Sequence, residues 1–281
     1  MASDHFLDDY SIEITAKDIG PLVDAVGVLP AGSAVSITFL PGNSVDQLVE
    51  VAAQVRRLGF EPVPHISARR IASHDALDHF LAGLASRAQA RRAFVIAGDP
   101  NTPIGPFADA LAVLESGLLQ AHGIRKVGIA GYPEGHPAIA PGTIWRALGD
   151  KVAAARDGGL DLQIVTQFVF DPDIIAAWVA EVRTRGVSIP IRVGIPGPAS
   201  VQALLRFAAR CGVGASAKVM AKYGVSITRL LNTATPDLLI RQLADRLVAA
   251  DEAGVKAHLY PFGGVEKTAR WAGQFAPRER A

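Results

Sequence analysis

The stretch VSITFLPGNSVDQLVEVAAQVRRLGFEPVPHIS, residues 35–67, decides the fold. It opens with a β-rich run over Val35–Leu40 and closes with another over Glu61–Ser67. Between them, apolar side chains recur at the spacing of one helix face, at Val45, Leu48, Val49, Ala52, Val55 and Leu58. Ser44 stands where it can cap the start of this helix, and Gly59 where it can end it. The stretch therefore predicts a strand–helix–strand unit.

The same alternation continues along the whole chain of 281 residues. Further strands are predicted at Tyr10–Thr15, Arg92–Gly98, Lys126–Tyr132, Leu162–Phe170, Pro190–Ile195 and Lys256–Tyr260. Helix-capping side chains precede further helical runs at Ser73, Asp171 and Ser200. Eight strands, each followed by a helix, predict an α/β fold of the (β/α)8 TIM barrel type. About 55 residues separate strands seven and eight, which predicts extra helices there.

A doubly wound sheet is the alternative fold, and it usually carries a G-x-G-x-x-G turn after its first strand. Here Thr15 is followed by AKDIGPL, which lacks that turn, so the barrel is favoured. The sequence shows no internal repeat, low-complexity tract or linker, and we expect residues 1–281 to form a single barrel domain.

Composition excludes several classes of function. The net charge of +1 gives no reason to expect nucleic acid or an anionic membrane as partner. Cys211 is the only cysteine, which rules out an intrachain disulfide and cysteine-based metal sites, and no H-x-x-x-H spacing indicates a metal. The N-terminal MASDHFLDDY lacks the apolar core of a signal peptide, and no long apolar run is present. We therefore expect a cytoplasmic protein without metal or membrane.

In this fold the active site forms where the strands end, so polar residues at those positions are the first candidates. They are Glu13, Thr38, His65, Asp99, Tyr132, Glu134, His136, Gln167 and Tyr260. Glu13 lies between two isoleucines, where a carboxyl is either half of a buried ion pair or a general acid with a raised pKa. Gln167 is an amide among apolar residues and needs buried partners, which a ligand with donors and acceptors on one edge, such as a pterin, would supply.

Structural roles are open for the other candidates. Gly98-Asp99-Pro100 is also an ordinary turn, and His65 could be a core histidine with satisfied hydrogen bonds. The GYPEGHP loop, residues 131–137, has two prolines and two glycines that fix its backbone. Such a loop either presents its side chains to a ligand or is a tight surface turn.

Eight short segments in order resemble the methylenetetrahydrofolate reductase family. They are SIEIT, VSITF, PHIS, AGDP, GYPEGHP, TQFVFD, VGIPGP and AHLYPF, between residues 11 and 262. The most specific are GYPEGHP and TQFVFD, since the family has Y-P-E-x-H-P and T-Q-F-x-F-D at these points. The resemblance implies hydride transfer from NADH or NADPH through FAD to 5,10-methylenetetrahydrofolate, giving 5-methyltetrahydrofolate, or the reverse reaction.

The resemblance also implies roles for individual residues. Glu13 matches the general acid that protonates N10 of the folate, and Asp99 matches the charge that stabilises the resulting 5-iminium cation. Gln167 and Tyr260 match positions on the folate side. Positions that hold FAD are matched by Thr38, His65, Gly98, Asp99, Ala130, Tyr132, His136 and Arg156.

The chain departs from the family at three charged positions. It has Ala97 where the family has an arginine before Gly-Asp, and Arg156 or Lys151 where the family has a lysine before T-Q-F. Gly264, with Lys267 nearby, stands in place of a late arginine. The first two departures imply weaker anchoring of FAD. Two alternatives follow, a folate enzyme with direct hydride transfer from the nicotinamide and a non-catalytic folate or nucleotide binder. The apolar helix faces also permit a homo-oligomer.

Overall fold

A computed structural model of the chain describes residues 6–210, 233–250, 252 and 254–275. Eight parallel strands close into a barrel, each paired with the next along the chain and the last paired with the first. The barrel strands are β1 (Ser11–Ile14), β2 (Ala34–Ile37), β3 (Glu61–Ser67), β4 (Arg92–Ile96), β5 (Lys126–Gly131), β6 (Asp161–Phe168), β7 (Ile191–Pro196) and β10 (Val255–Tyr260). The predicted TIM barrel is confirmed, and the doubly wound alternative is wrong.

Helices follow the strands around the outside of the barrel. They are α1 (Ile19–Asp24), α2 (Val45–Arg57), α3 (His74–Ala88), α4 (Ala110–Glu115), α5 (Leu118–Ala121), α6 (Pro141–Asp157), α7 (Pro172–Thr184), α8 (Val201–Arg210), α9 (Asp237–Ala249) and α10 (Val265–Ala272). The predicted caps are confirmed: Ser44, Ser73, Asp171 and Ser200 each accept a hydrogen bond from a backbone N–H two or three residues later. Gly59 follows α2 with φ of 87°.

Among the described residues, two helices, α8 and α9, lie between the seventh and eighth barrel strands, in the segment where extra helices were predicted. A short antiparallel ribbon of β8 (Ala199–Ser200) and β9 (Thr233–Ala234) also lies there, which the sequence did not indicate. Residues 211–232, including Cys211, lie outside the described part of the chain.

Most strand ends agree with the sequence, but β2 ends three residues earlier than predicted. The backbone N–H of Leu40 donates to the side chain of Asn43 at 3.0 Å, so it serves the turn and not the sheet. The apolar run continues into a loop because Phe39 is buried there against the ring of Phe80.

Charged residues close the barrel at the end where the strands begin. The guanidinium of Arg192, near the start of β7, is buried and lies 2.8 Å from the carboxylate of Asp9 and 3.1 Å from the amide oxygen of Gln163. Lys256, at the start of β10, pairs with Asp8. This end is filled by structural ion pairs, which leaves the opposite end, the mouth, for the candidate site.

Candidate functional site at the barrel mouth

Glu13 lies near the end of β1, and its side chain points into the barrel. Its Oε2 lies 3.5 Å from Nε2 of His65 on β3 and 3.6 Å from Nε2 of His258 on β10. Both imidazoles are buried, whereas the Glu13 side chain keeps 19% of its exposure. The barrel thus holds one carboxylate between two histidines, and its remaining contact with solvent is at the mouth.

The pKa of the Glu13 carboxyl results from opposing effects. Burial raises it, but the interaction with His258, the nearby His65 and the hydroxyl of Thr38 lower it, and the net effect is a pKa below the ordinary value. The expectation of a raised pKa is therefore wrong for the protein without ligand. Glu13 is a carboxylate at neutral pH, and His258 is the strongest of the groups that favour this form.

Burial lowers the pKa of His65 to about 4, although the charge of Glu13 opposes that shift. The ring packs edge-on against Phe94 at 4.7 Å between centroids, and neither nitrogen has a hydrogen-bond partner among the described residues. His65 is therefore a neutral imidazole at neutral pH with unused hydrogen-bonding capacity.

His258 and Ser11 belong to the same cluster, and the sequence analysis missed both. The hydroxyl of Ser11 lies 2.8 Å from Nδ1 of His258, and both residues are fully buried. The strand period of two could have found them, because Ser11 shares a face with Glu13 and His258 shares a face with Tyr260. Ser11 fixes the imidazole so that its other nitrogen faces the carboxylate.

Buried polar atoms also lie at the ends of β2 and β3. The hydroxyls of Thr38 and Ser67 are both inaccessible to solvent. The Thr38 hydroxyl interacts with Glu13, whereas that of Ser67 makes no hydrogen bond within the described chain. Gly98 has φ of 92°, and a Cβ there would lie 1.9 Å from the Ser67 hydroxyl. Only glycine allows the backbone after β4 to approach Ser67 this closely. The result is a cradle of backbone and hydroxyl groups that a polar ligand could satisfy.

Asp99, directly after Gly98, stands at the rim of the mouth. Its carboxylate is 74% exposed and lies 3.3 Å from Nη2 of Arg70. The interpretation of Gly98-Asp99-Pro100 as an ordinary turn is therefore compatible with the structure, because Asp99 lies in a loop. The charge of Asp99 also faces the open end of the barrel.

Gln167 and Tyr260 lie together on the other side of the mouth. The register between β6 and β7 shifts between Val165 and Phe168, and Gln167 sits in this irregularity. Its amide oxygen accepts from the backbone N–H of Phe168 at 3.1 Å, while the Tyr260 hydroxyl donates to the Thr166 carbonyl at 3.1 Å. The bulge turns a half-buried amide toward the mouth, next to a phenol.

Aromatic rings surround this pair. The rings of Phe207 and Phe262 stack at 4.2 Å, those of Tyr260 and Phe262 stack at 5.7 Å, and Phe168 meets Tyr260 edge-on. Such a cluster offers flat apolar surface beside polar groups, which suits a planar heterocycle.

The GYPEGHP loop follows β5 and also reaches the mouth. Tyr132 packs edge-on against His136 at 5.2 Å, and Nδ1 of His136 accepts from the backbone N–H of Ala138. Burial raises the pKa of Tyr132, so its phenol stays protonated. Ala130, two residues earlier in β5, is half-buried.

Arg156 is the predicted site residue that the structure does not bring to the mouth. It is exposed in the last turn of α6, shortly before β6 begins. Because α6 runs from the mouth to the opposite end of the barrel, Arg156 lies on the far side from the other predicted site residues, and its placement gives no support to the predicted contact with the cofactor. Lys151 lies nearer the mouth, and burial lowers the pKa of its ammonium group, an effect that Asp109 opposes.

Neither a metal-binding cluster nor a membrane-spanning helix occurs among the residues that the structure describes. None of these residues forms a group of three histidine, cysteine, aspartate or glutamate side chains that could hold a metal ion. None of the helices combines the length and apolar character needed to cross a bilayer.

Comparisons with known proteins agree with this architecture. A solved structure from Clostridium thermocellum, an uncharacterized protein described as binding two copies of 5-methyl-5,6,7,8-tetrahydrofolic acid, superposes with a TM-score of 0.63 over 95% of this chain and 94% of that chain, at 12% identity. At that identity the likeness shows the fold alone.

The sequence relatives are more specific. Methylenetetrahydrofolate reductase (NADH) 1 of Arabidopsis thaliana is 26% identical over 184 residues, which cover 60% of this chain and 31% of that protein. Methylenetetrahydrofolate reductase 1 of Schizosaccharomyces pombe is 44% identical over 70 residues, covering 25% of this chain and 11% of the relative. The chain thus spans about a third or less of these relatives. The family model described as Methylenetetrahydrofolate reductase matches residues 22–228, well over half of the chain, and the chain therefore belongs to that family.

Proposed function

We propose that the protein interconverts 5,10-methylenetetrahydrofolate and 5-methyltetrahydrofolate, with NADH or NADPH as the hydride source and FAD as the carrier. Glu13, held in the mouth between His65 and His258, is the observation that carries the proposal. Opening the methylene bridge requires a proton on N10 of the folate, and a carboxyl inside the barrel is suited to give it. In the reverse direction, the carboxylate takes this proton back.

The lowered pKa of Glu13 fits this role if substrate binding changes its surroundings. A folate that covers the mouth removes the remaining water from the carboxyl, and burial acts to raise its pKa. The proton can then be held at Oε2 until N10 receives it. In the free protein the same residue is ionised and ready to act as a base.

Folate binding is assigned to the Gln167 and Tyr260 side of the mouth. The side-chain amide of Gln167 offers a donor and an acceptor to the edge of a pterin, and the stacked rings of Phe207 and Phe262 offer a flat surface. Asp99 supplies a negative charge at the rim, where it can stabilise the 5-iminium cation that forms after the bridge opens.

FAD is assigned to the side formed by β2, β3 and β4. The fit rests on the buried hydroxyls of Thr38 and Ser67 and on the close approach that Gly98 permits. Tyr132, His136 and Ala130 adjoin this side through β5. When bound, FAD would accept a hydride from the nicotinamide and deliver it to the iminium carbon. We further propose that the protein acts in the cytoplasm and that residues 1–281 form one domain.

The proposal is tested with the purified chain in two assays. The first measures the visible absorbance spectrum before and after NADH addition, and the second measures methylenetetrahydrofolate-dependent NADH and NADPH oxidation with and without added FAD. Flavin bands that bleach, together with folate turnover, support the proposal. Turnover that is independent of FAD supports direct hydride transfer instead. Folate binding without any turnover would favour a non-catalytic binder.

A further inference from the structure

Two adjacent arginines, Arg69 and Arg70, follow β3 and differ in what they contact. The guanidinium of Arg69 donates to the carbonyl of Ala108 at 2.7 Å and to that of Pro100 at 3.1 Å. It therefore holds the loop after β4 in place. Arg70 makes no such backbone contact among the described residues, and its one hydrogen bond there is the 3.3 Å contact with Asp99.

The guanidinium of Arg70 has unused binding capacity. Its side chain is 20% exposed, and its Nε is inaccessible to solvent without a hydrogen-bond partner in the described chain. An unpaired buried donor is unfavourable, and the pairing with a largely exposed carboxylate offsets little of that cost. A ligand that supplies acceptor oxygens at this point would satisfy the group.

The location of Arg70 restricts the chemistry of such a ligand. The guanidinium carbon lies 6.0 Å from the centre of the Phe39 ring after β2, and Nη2 reaches Asp99 after β4. The Arg70 guanidinium thus lies on the side of the mouth that contains the Ser67 hydroxyl and the close backbone approach at Gly98, away from Gln167 and Tyr260. A planar guanidinium with an open donor edge binds phosphate oxygens in pairs.

We propose that Arg70 binds the diphosphate group of a dinucleotide and releases Asp99 when it does so. Ala97, next to Gly98, has no charged side chain to offer, and its carbonyl accepts the backbone N–H of Arg69 at 2.9 Å. The cation at this strand end therefore comes from the loop after β3. The diphosphate is common to FAD and to NADH or NADPH, and this inference rests on the proposed function.

Release of Asp99 links dinucleotide binding to the charge at the rim. In the free protein, Arg70 partly neutralises the Asp99 carboxylate. Once the diphosphate holds the guanidinium, the carboxylate has lost its counter-ion and its full charge faces the mouth. Binding of the dinucleotide thereby increases the negative field available to a cationic folate intermediate.

The test is equilibrium titration of the full chain with FAD, NADH, ADP-ribose and 5-methyltetrahydrofolate, in wild type and in Arg70→Gln, Arg70→Lys, Asp99→Asn and Arg87→Gln. ADP-ribose contains the diphosphate without flavin or nicotinamide. Arg87, which pairs with Glu50 outside the barrel, is the matched control for the loss of one positive charge. We expect Arg70→Gln to raise the Kd for the diphosphate-containing ligands roughly 10- to 100-fold, because the charge-assisted hydrogen bonds to the diphosphate are lost. Arg70→Lys should be intermediate, Arg87→Gln unchanged, and Asp99→Asn should lower the Kd.

The changes in Kd across the ligands identify the dinucleotide that Arg70 binds. They also distinguish failure of this inference from failure of the proposed function. A weakened FAD titration with unchanged NADH assigns Arg70 to the flavin nucleotide, and the converse assigns it to the nicotinamide nucleotide. Wild-type binding that Arg70→Gln leaves within twofold overturns the inference and leaves the proposed function intact. Loss of 5-methyltetrahydrofolate binding alone overturns it too, because Arg70 would then hold folate carboxylates. A wild type that binds none of the dinucleotides overturns both.

Discussion

The Nε2 atom of His258 lies 3.6 Å from Oε2 of Glu13, and its Nδ1 lies 2.8 Å from the hydroxyl of Ser11. The three residues come from the first and last strands of the barrel, which pair directly, Ser11 opposite His258. Closure of the barrel is therefore what brings the imidazole to the carboxylate. His258, from the last strand, thereby lowers the pKa of Glu13, from the first strand.

Replacing Glu13 by Gln should separate the two halves of the reaction. The amide keeps the size of the side chain but cannot give a proton to N10, so folate reduction should fall by about 100-fold or more. NADH oxidation by a quinone acceptor does not need this proton and should stay near the wild-type rate. Stopped-flow measurement of each half-reaction checks this, with Glu115→Gln on α4 as the matched control. Equal loss in both halves would exclude Glu13 as the proton donor.

Replacing His258 by Phe should raise the pKa of Glu13. His258 is the strongest of the influences that lower this pKa, and burial, which raises it, would then be opposed only by His65 and Thr38. A general acid works in its protonated form, so the rate of folate reduction should decline at a higher pH than in wild type. The rate is measured against pH under single-turnover conditions. His122→Gln, a change in an exposed pair with Asp78, should not move the profile.

Infrared difference spectra give a second measurement for the same prediction, without any folate. Protonation of the buried carboxyl is followed during a pH titration, and Glu13→Gln identifies its band. The midpoint should rise in His258→Phe and, to a smaller extent, in Ser11→Ala, because Ser11 fixes the ring. If the titration midpoint of Glu13 is unchanged in both variants, His258 contributes only to packing.

The strands could be predicted because apolar runs and capping residues are local signals. The same signals led to Glu13, Asp99, Gln167 and the GYPEGHP loop, which all follow strand ends. Two aspects could not be predicted in this way. The lowered pKa of Glu13 depends on His258, which is distant in sequence and meets it only through barrel closure. The placement of Arg156 depends on the length of α6, since a helix of 17 residues spans about 25 Å and carries its last turn away from the mouth.

His65 should make the protein sensitive to acid. Its pKa is about 4 in the folded protein against about 6.5 in an unfolded chain, so below pH 6.5 the unfolded state takes up a proton that the folded state does not. The free energy of unfolding should therefore decrease as the pH falls from about 6.5 to about 4, by roughly 3 kcal/mol in total. Denaturant titrations at several pH values measure this. His65→Gln should show a shallower decrease, because the unfolded state of this variant takes up about one proton fewer.

Replacing Gly98 by Ala should lower both the free energy of unfolding and the affinity for the dinucleotide. The added Cβ would meet the Ser67 hydroxyl at 1.9 Å, and the φ of 92° is unfavourable for any side chain. Gly186 has φ of 77° and open space around it, so Gly186→Ala measures the backbone strain by itself, about 1 kcal/mol. Gly98→Ala should cost clearly more, because the loop after β4 must also move away from Ser67. In a Ser67→Ala background the extra cost should shrink, since the clashing oxygen is gone. If the two glycine substitutions cost the same in thermal unfolding, the close approach of Gly98 to Ser67 is not a constraint in solution.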